Sequence, residues 1–369
     1  REDNQMKKKL QIGIMESTRV IPGGGQKVLP QIASHLSKEH NVTIFLQGPR
    51  EGEQKFENCK VKYIKPKNKY LVSLTFLFLK LKEQFDIIIY GCFPANFAIF
   101  RNASYPSIHL THSPPRVFYG LKKHLLKSSN FIGKLKVIIK NIFFKRLDYL
   151  AAQKNTQILA ISQEIKKRVM RDYRRDSEIY YPGVDQNKYS PGKYEDYILS
   201  VTRMVSAKRP KVIAEAMKYV KDKKIKMIMV GGGDQKEEIK QMSNNLPNLE
   251  VRGFVSDEEL QKLYSNCLAA IYIPINEDYG YTPVEAGMCE KSTIGVNEGG
   301  LRETIVDGKT GFLIDDVTPK KVAEKIDVLA KDKKLAETMG KAARKHCEKF
   351  ELEKTFKVID ETIKEVMKN

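Results

Sequence analysis

From Ile87 to Leu147 the chain contains not one Asp or Glu. No apolar run is long enough to span a bilayer; the best, Val72 to Leu79, ends after eight residues and holds Ser73 and Thr75. Cysteine is sparse: Cys59, Cys92, Cys267, Cys289 and Cys347 are an odd number, widely scattered, with no C-x-x-C. That argues against a disulfide framework and a zinc site, and for a reducing, cytoplasmic setting. Aspartates two apart, a spacing that chelates metal in other proteins, occur nowhere. Neither a Walker A loop nor G-x-G-x-x-G is present. Lys7-Lys8-Lys9 before LQIGIM imitates a signal peptide, but the apolar part is short and no small-residue cleavage site follows. A buried first strand is expected there instead.

What is present divides in two. Of the net charge of +20, residues 1–182 supply +19, from 33 Lys and Arg against 14 Asp and Glu. Residues 183–369 are nearly neutral, so the first half is expected to meet something anionic. In that half LQIGIM, VTIFL, DIIIY (86–90), SIHLT (107–111) and QILAIS (157–162) are short apolar runs separated by helical stretches. In the second, YILSV (197–201), KMIMV (226–230), LEVRGF (249–254), LAAIYIP (268–274) and STIGVN (292–297) repeat the plan. Such alternation predicts parallel βαβ units. Two prolines and two glycines in YYPGVDQNKYSPGKY (180–194) mark the junction. The reading is an α/β protein: an N-terminal domain over 6–181, a linker over 182–193 and a C-terminal domain over 194–349. A final helix over 350–369 is expected to pack back on the N-terminal domain. In two such doubly wound sheets facing a cleft, ligands bind beyond the carboxyl ends of the strands.

Three stretches follow strand ends and carry chemistry. PGGGQKV (22–28) suits either a plain strand-to-helix turn or a close approach of backbone to an anion at a helix N-terminus. In SVTRMVSAKRP (200–210), Arg203 and Lys208 could hold both phosphates of a diphosphate, or belong to a solvated basic loop. In NEDYGYTPVEAG (276–287), Thr282, Pro283 and Glu285 match N-cap, N1 and N3 of a capping box, which gives Glu285 a structural reason to exist. Glu277, before the helix, has none. The N–H groups of Gly280, Tyr281 and Thr282 are placed to receive phosphate oxygens.

E-x7-E after a strand, followed by STIGVNEGGLRETIVDGKTGFLI, closely resembles the donor-site signature of retaining glycosyltransferases of family 4, which have the GT-B fold of two Rossmann-like domains. PGGGQKV, THSPPRVFYG, ILSVTRMVSAKRP and YYPGVDQNKYSP stand in the family's order, so the resemblance covers most of the chain. It implies that Arg203 and Lys208 neutralise the diphosphate, Glu277 faces the donor sugar and Glu285 takes the ribose hydroxyls. It also implies that His112 touches the sugar from the other domain, Gly24 and Gly25 approach the diphosphate, and the base lies near Phe254 and Val255. No cofactor or divalent metal is then needed, because Arg203 and Lys208 replace the metal. HSPPRVFYG and NEGGLRET resemble mannosyltransferases of lipid-linked oligosaccharide or polysaccharide assembly, which implies GDP-mannose first and a UDP-sugar second.

The basic half implies an anionic membrane surface as partner, with a lipid-linked or glycan acceptor and peripheral attachment to the cytosolic face. Leu135, Ile138, Ile139, Ile142 and Phe143 recur at helical spacing among lysines, which fits a membrane-docking helix or an ordinary one burying its apolar face. A nucleic-acid-binding protein would use the charge but leaves E-x7-E unexplained, since carboxylates repel a polyanion. A nucleotide-sugar 2-epimerase and a non-catalytic sugar-nucleotide binder share the expected fold and stay as alternatives.

Overall fold

The computed structural model describes residues 9–17, 28–47, 56, 58–64, 71–119 and 131–368, with the backbone path alone for 131–140. Gly24 and Gly25, and residues 120–130 of the basic stretch, lie outside them. The chain forms two compact units, residues 1–182 with 355–369, and residues 183–354.

The first unit is built on seven parallel strands: β1 (Gln11–Glu16), β2 (Asn41–Gln47), β3 (Lys60–Ile64), β4 (Ile87–Tyr90), β5 (Ser107–Thr111), β6 (Gln157–Ala160) and β7 (Glu178–Ile179), in the order β3-β2-β1-β4-β5-β6-β7. Every residue of β4 and β5 is buried, because helices cover both faces of a parallel sheet; hence the unbroken apolar runs. Chain order reverses between β1 and β4, which leaves a crevice at the strands' carboxyl ends. β5 ends at Thr111, and His112 is the next residue. The helix Gln163–Tyr173 starts where the Ser162 hydroxyl accepts the Ile165 N–H at 3.1 Å. Thr355 and the residues after it, most of the helix Leu352–Val366, belong to this unit. There Phe356 stacks on His35 at 4.2 Å, and Asp360 meets His35 Nε2 at 2.9 Å.

The second unit has six parallel strands, β8 (Tyr197–Val201), β9 (Lys226–Val230), β10 (Leu249–Arg252), β11 (Ala269–Tyr272), β12 (Thr293–Val296) and β13 (Gly311–Ile314), ordered β10-β9-β8-β11-β12-β13. The reversal here falls between β8 and β11. Residues 183–194 run along this unit. Fully buried Lys291 donates to the carbonyls of Lys193 at 2.9 Å and Gly192 at 3.3 Å, and its ammonium lies 3.3 Å from the Tyr194 ring centre. Lys291→Met keeps the bulk but strands two carbonyls, at a cost of about 1–3 kcal/mol. A fall in the thermal midpoint of this unit is expected; an unchanged midpoint would mean the clamp contributes nothing.

Candidate functional site

Strands β8, β9 and β11 deliver their ends to one edge of the second unit. β8 and β9 stay joined past their last residues: Thr202 N–H donates to Val230 O at 3.0 Å and Met204 N–H to Gly232 O at 2.8 Å. Gly231 permits this at φ +130, where a Cβ would sit 2.1 Å from the Thr202 carbonyl oxygen. Arg203 emerges from this junction exposed; its carbonyl accepts from Val205 N–H at 2.8 Å, while its guanidinium has no hydrogen-bond or ion-pair partner among the described residues.

Lys208 takes the opposite course. It closes a short 3-10 turn, Ser206–Lys208, and its ammonium turns back toward β11. There it donates to Tyr272 OH at 2.8 Å and to Glu277 Oε2, which also accepts from Tyr272 OH at 3.0 Å. The Lys208 and Glu277 side chains are 15% and 21% exposed, so the pair is shielded yet open to a ligand. Burial first, then the Glu277 charge, holds the Tyr272 phenol well above its usual range, so it remains a proton donor.

Two contacts from below fix the Glu277 turn. Gly300 N–H donates to Glu277 O at 2.8 Å, and Gly299 at φ +56 lets the chain pass where a Cβ would meet that carbonyl oxygen at 2.1 Å. Arg209 donates to Ile273 O at 3.2 Å and to Glu298 at 2.9 Å, and the other Glu298 oxygen accepts from Asn276 N–H at 2.8 Å. Arg209 is thus a brace for the turn, whereas its neighbour Lys208 faces the site.

The capping box is not made. The helix Tyr281–Met288 begins after Gly280, which is left-handed at φ +99 and caps with no side chain. This start puts Thr282 second in the helix, and its hydroxyl donates to Val201 O at 3.1 Å, tying the helix to the end of β8. Glu285 becomes the fifth helical residue, beyond reach of any cap. Each of its oxygens accepts one phenol: Oε1 from Tyr189 at 3.1 Å and Oε2 from Tyr264 at 2.9 Å. The first turn still lacks intrahelical partners for the N–H groups of Tyr281 and Thr282.

Phe254 and Val255 part company. Phe254 is 75% exposed, its ring lying where a Cβ on Gly232 would be 2.9 Å away, while Val255 packs toward the core beside Leu260. His112, half-buried after β5, belongs to the first unit, whereas Arg203, Lys208, Glu277 and Glu285 belong to the second. His109 is structural: burial and then the His112 charge push its pKa down to about 4, so it is neutral at pH 7. Tyr272, Tyr189, Tyr264 and the Arg209–Glu298 brace escaped the sequence reading: Tyr272 in a strand and Tyr264 in a helix look like ordinary core, and Tyr189 lies in the junction segment after a short 3-10 turn.

Comparison with known proteins gives the same architecture a family. The glycosyl transferases group 1 profile matches residues 184–346, and the Glycosyltransferase Family 4 profile matches residues 22–188. An uncharacterized glycosyltransferase of Methanocaldococcus jannaschii is 29% identical over 224 residues, covering 60% of this chain and 63% of that one. The alpha-1,3/1,6-mannosyltransferase of Dictyostelium discoideum is 40% identical over 86 residues, 23% of this chain and 20% of that one. The chain thus spans less than two thirds of the length of these curated relatives. Among solved structures, a glycosyltransferase from Rickettsia africae superposes with a TM-score of 0.77 at 22% identity, over 98% of this chain and 99% of that one. Sucrose-phosphate synthase from Thermosynechococcus elongatus reaches 0.79 at 16% identity, over 97% and 99%. Two Rossmann-like units of seven and six strands, one matched by each profile, place the chain among the GT-B glycosyltransferases, as a family 4 domain followed by a group 1 domain.

Proposed function

We propose that the chain moves a hexose from a nucleotide sugar to a glycan, with retention at the anomeric carbon and without a divalent metal. The reading is carried by the Lys208–Tyr272–Glu277 cluster, set beside a doubly held Glu285 on one strand-end edge. Breaking a sugar–phosphate bond builds negative charge on the diphosphate. Lys208, the exposed Arg203 and the N–H groups from Gly280 to Thr282 stabilise that charge. Glu277 faces the sugar and Glu285 accepts the ribose hydroxyls. Phe254 offers the base a flat apolar surface, with Val255 holding its loop to the core. His112 contributes from the first unit. GDP-mannose is the first donor to test, in keeping with the mannosyltransferase segment matched at 40% identity, and a UDP-sugar the second. The acceptor is a lipid-linked or free glycan, met at an anionic membrane surface by the basic first unit; no helix among the described residues is long and apolar enough to cross a membrane.

The test is a thermal-shift titration with GDP-mannose, UDP-glucose, GDP and UDP in EDTA, followed by product analysis. A ligand that binds only the folded state raises the midpoint, by about 2.7 kcal/mol of stability at a hundredfold excess over Kd. Stabilisation by one base series fixes the nucleotide and supports metal independence. No shift with any of them, with or without acceptor and magnesium, would defeat the reading.

The Glu285 clamp makes a separate prediction. Loss of a charge-assisted hydrogen bond costs about 1.5–3 kcal/mol, so Glu285→Ala should weaken nucleoside diphosphate binding roughly ten- to a hundredfold. Tyr264→Phe removes only an orienting phenol. A smaller loss is expected, seen in KM with kcat nearly unchanged, and a 2′,3′-dideoxy nucleotide should be insensitive to either change. Equal losses for the dideoxy ligand would show that Glu285 does not contact ribose.

A further inference from the structure

On the first unit lies a cavity of about 530 Å³ lined by Tyr119, Ile142, Lys145, Arg146, Tyr149, Arg171, Asp172 and Arg174. Ile142, Lys145, Arg146 and Tyr149 stand at i, i+3, i+4 and i+7 of the helix Phe131–Lys154, so one helical face supplies half the wall. Phe144, Leu147 and Ala151 of the same helix pack into the core. The opposite wall comes from the C-terminal end of the helix Gln163–Tyr173, eleven residues and therefore about 16 Å from the strand end where that helix begins. Arg171, Asp172 and Arg174 thus stand at the far end of that helix from the strand edge, while Tyr119 closes the wall from the segment after β5.

Its lining is rich in positive charge. Among the described residues four cations line it against one carboxylate, which Arg171 grips with two bonds of 2.7 Å, and the buried Asp148 lies behind Tyr119. Lys145 has only the Tyr119 ring, 4.7 Å away, and Arg146 and Arg174 have no ion-pair partner among the described residues. Arg174 is held in place by the helix end itself, as a left-handed C-cap whose N–H donates to Met170 O. Beside these cations Ile142 is 63% and Phe143 53% exposed. An apolar residue at the mouth of a polycationic cavity suits a ligand with an anionic head and an apolar body.

We propose that this cavity binds the phosphate group of an amphiphilic ligand, its oxygens shared by Lys145, Arg146 and Arg174 and its apolar part lying along Ile142. Guanidinium forks match phosphate oxygens in pairs, and two phenols complete a polar wall. A phospholipid headgroup and a soluble phosphorylated molecule offer the same chemistry. The inference does not rest on the sugar-transfer reading.

The test compares wild type with R146Q/R174Q and with a charge-matched control in the second unit, K240Q/K331Q. Each is measured for cosedimentation with phosphatidylcholine vesicles containing phosphatidic acid, and for binding of inorganic pyrophosphate in a K208M background, which removes the strand-end lysine as a competing anion ligand. Each surface cation is worth about fivefold toward anionic lipid, so R146Q/R174Q should lose roughly 25-fold while the control loses little. Binding to vesicles that falls in R146Q/R174Q identifies a lipid headgroup; binding to pyrophosphate alone keeps the phosphate site, assigns it to a soluble ligand and overturns the apolar contact with Ile142. Binding to neither probe, or equal losses in the double variant and the control, would overturn the assignment.

Discussion

Glu277→Ala should lower turnover by about 10²–10³-fold, the loss typical of removing one preorganised electrostatic group from a transition state. Glu277 is placed to matter twice. It faces the expected sugar position, and it holds the Lys208 ammonium and the Tyr272 phenol in one cluster. Its removal leaves Lys208, 15% exposed, with only a phenol oxygen. A stability loss of about 1–3 kcal/mol is expected in parallel, because a shielded cation loses its partner. Glu277→Gln separates the two effects, since the amide oxygen still accepts from Lys208. The glutamine variant should fold nearly as well as wild type and still fail in transfer. Near-normal kcat in the alanine variant would remove Glu277 from the mechanism.

Lys208→Met should cost a similar 10²–10³-fold in kcat, because Lys208 is held by Tyr272 and Glu277 facing the site, whereas Arg209 is spent on bracing the turn. Arg203 is exposed and its guanidinium unpartnered among the described residues, so Arg203→Met should cost only about ten- to a hundredfold. The ranking is the informative part. If both cations acted merely by attracting a polyanion, added salt would weaken the two contributions alike. Lys208, being shielded, should keep its effect at high ionic strength while that of Arg203 fades. The double variant Glu277→Ala with Lys208→Met should fall well short of the product of the single losses, because the two residues act as one unit. Full multiplicativity would mean that they act separately and that the contact between them is incidental.

The sheets were legible because their strands are buried on both faces. IIIY and YILSV announce themselves as unbroken apolar runs of strand length, and the sequence reading placed both. KVKYI was overlooked: as the edge strand β3 it alternates lysine with apolar residues and lacks that signature. GFLI, at the other edge, was overlooked as well: Phe312 and Leu313 are only partly buried there. Within the site, Lys208 and Glu277 were found by chemistry, one on each side of a strand end, and the structure brings them into contact. Glu285 was given a cap by local pattern. The pattern failed because Gly280, left-handed at φ +99, starts the helix two residues earlier, a choice set by packing against β8 through Thr282 and Val201. Tyr189 and Tyr264 lie 96 and 21 residues from Glu285. No local pattern links them, and only the tertiary fold does. The helical stripe 135–143 was likewise ambiguous in sequence. Its last members, Ile142 and Phe143, are exposed, while the core contacts come from Phe144 and Leu147.

The uncapped start of the helix Tyr281–Met288 has a consequence for anyone seeking a hardier version of this protein. A side-chain cap is commonly worth about 0.5–2 kcal/mol, and this helix does without one. The usual remedy is barred by Gly280 itself: at φ +99, with the Leu301 side chain 2.5 Å from where a Cβ would sit, a capping Ser or Asp there is both strained and crowded. Gains in heat resistance are therefore to be sought at the Lys291 clamp or in the Leu352–Val366 helix, away from this helix start.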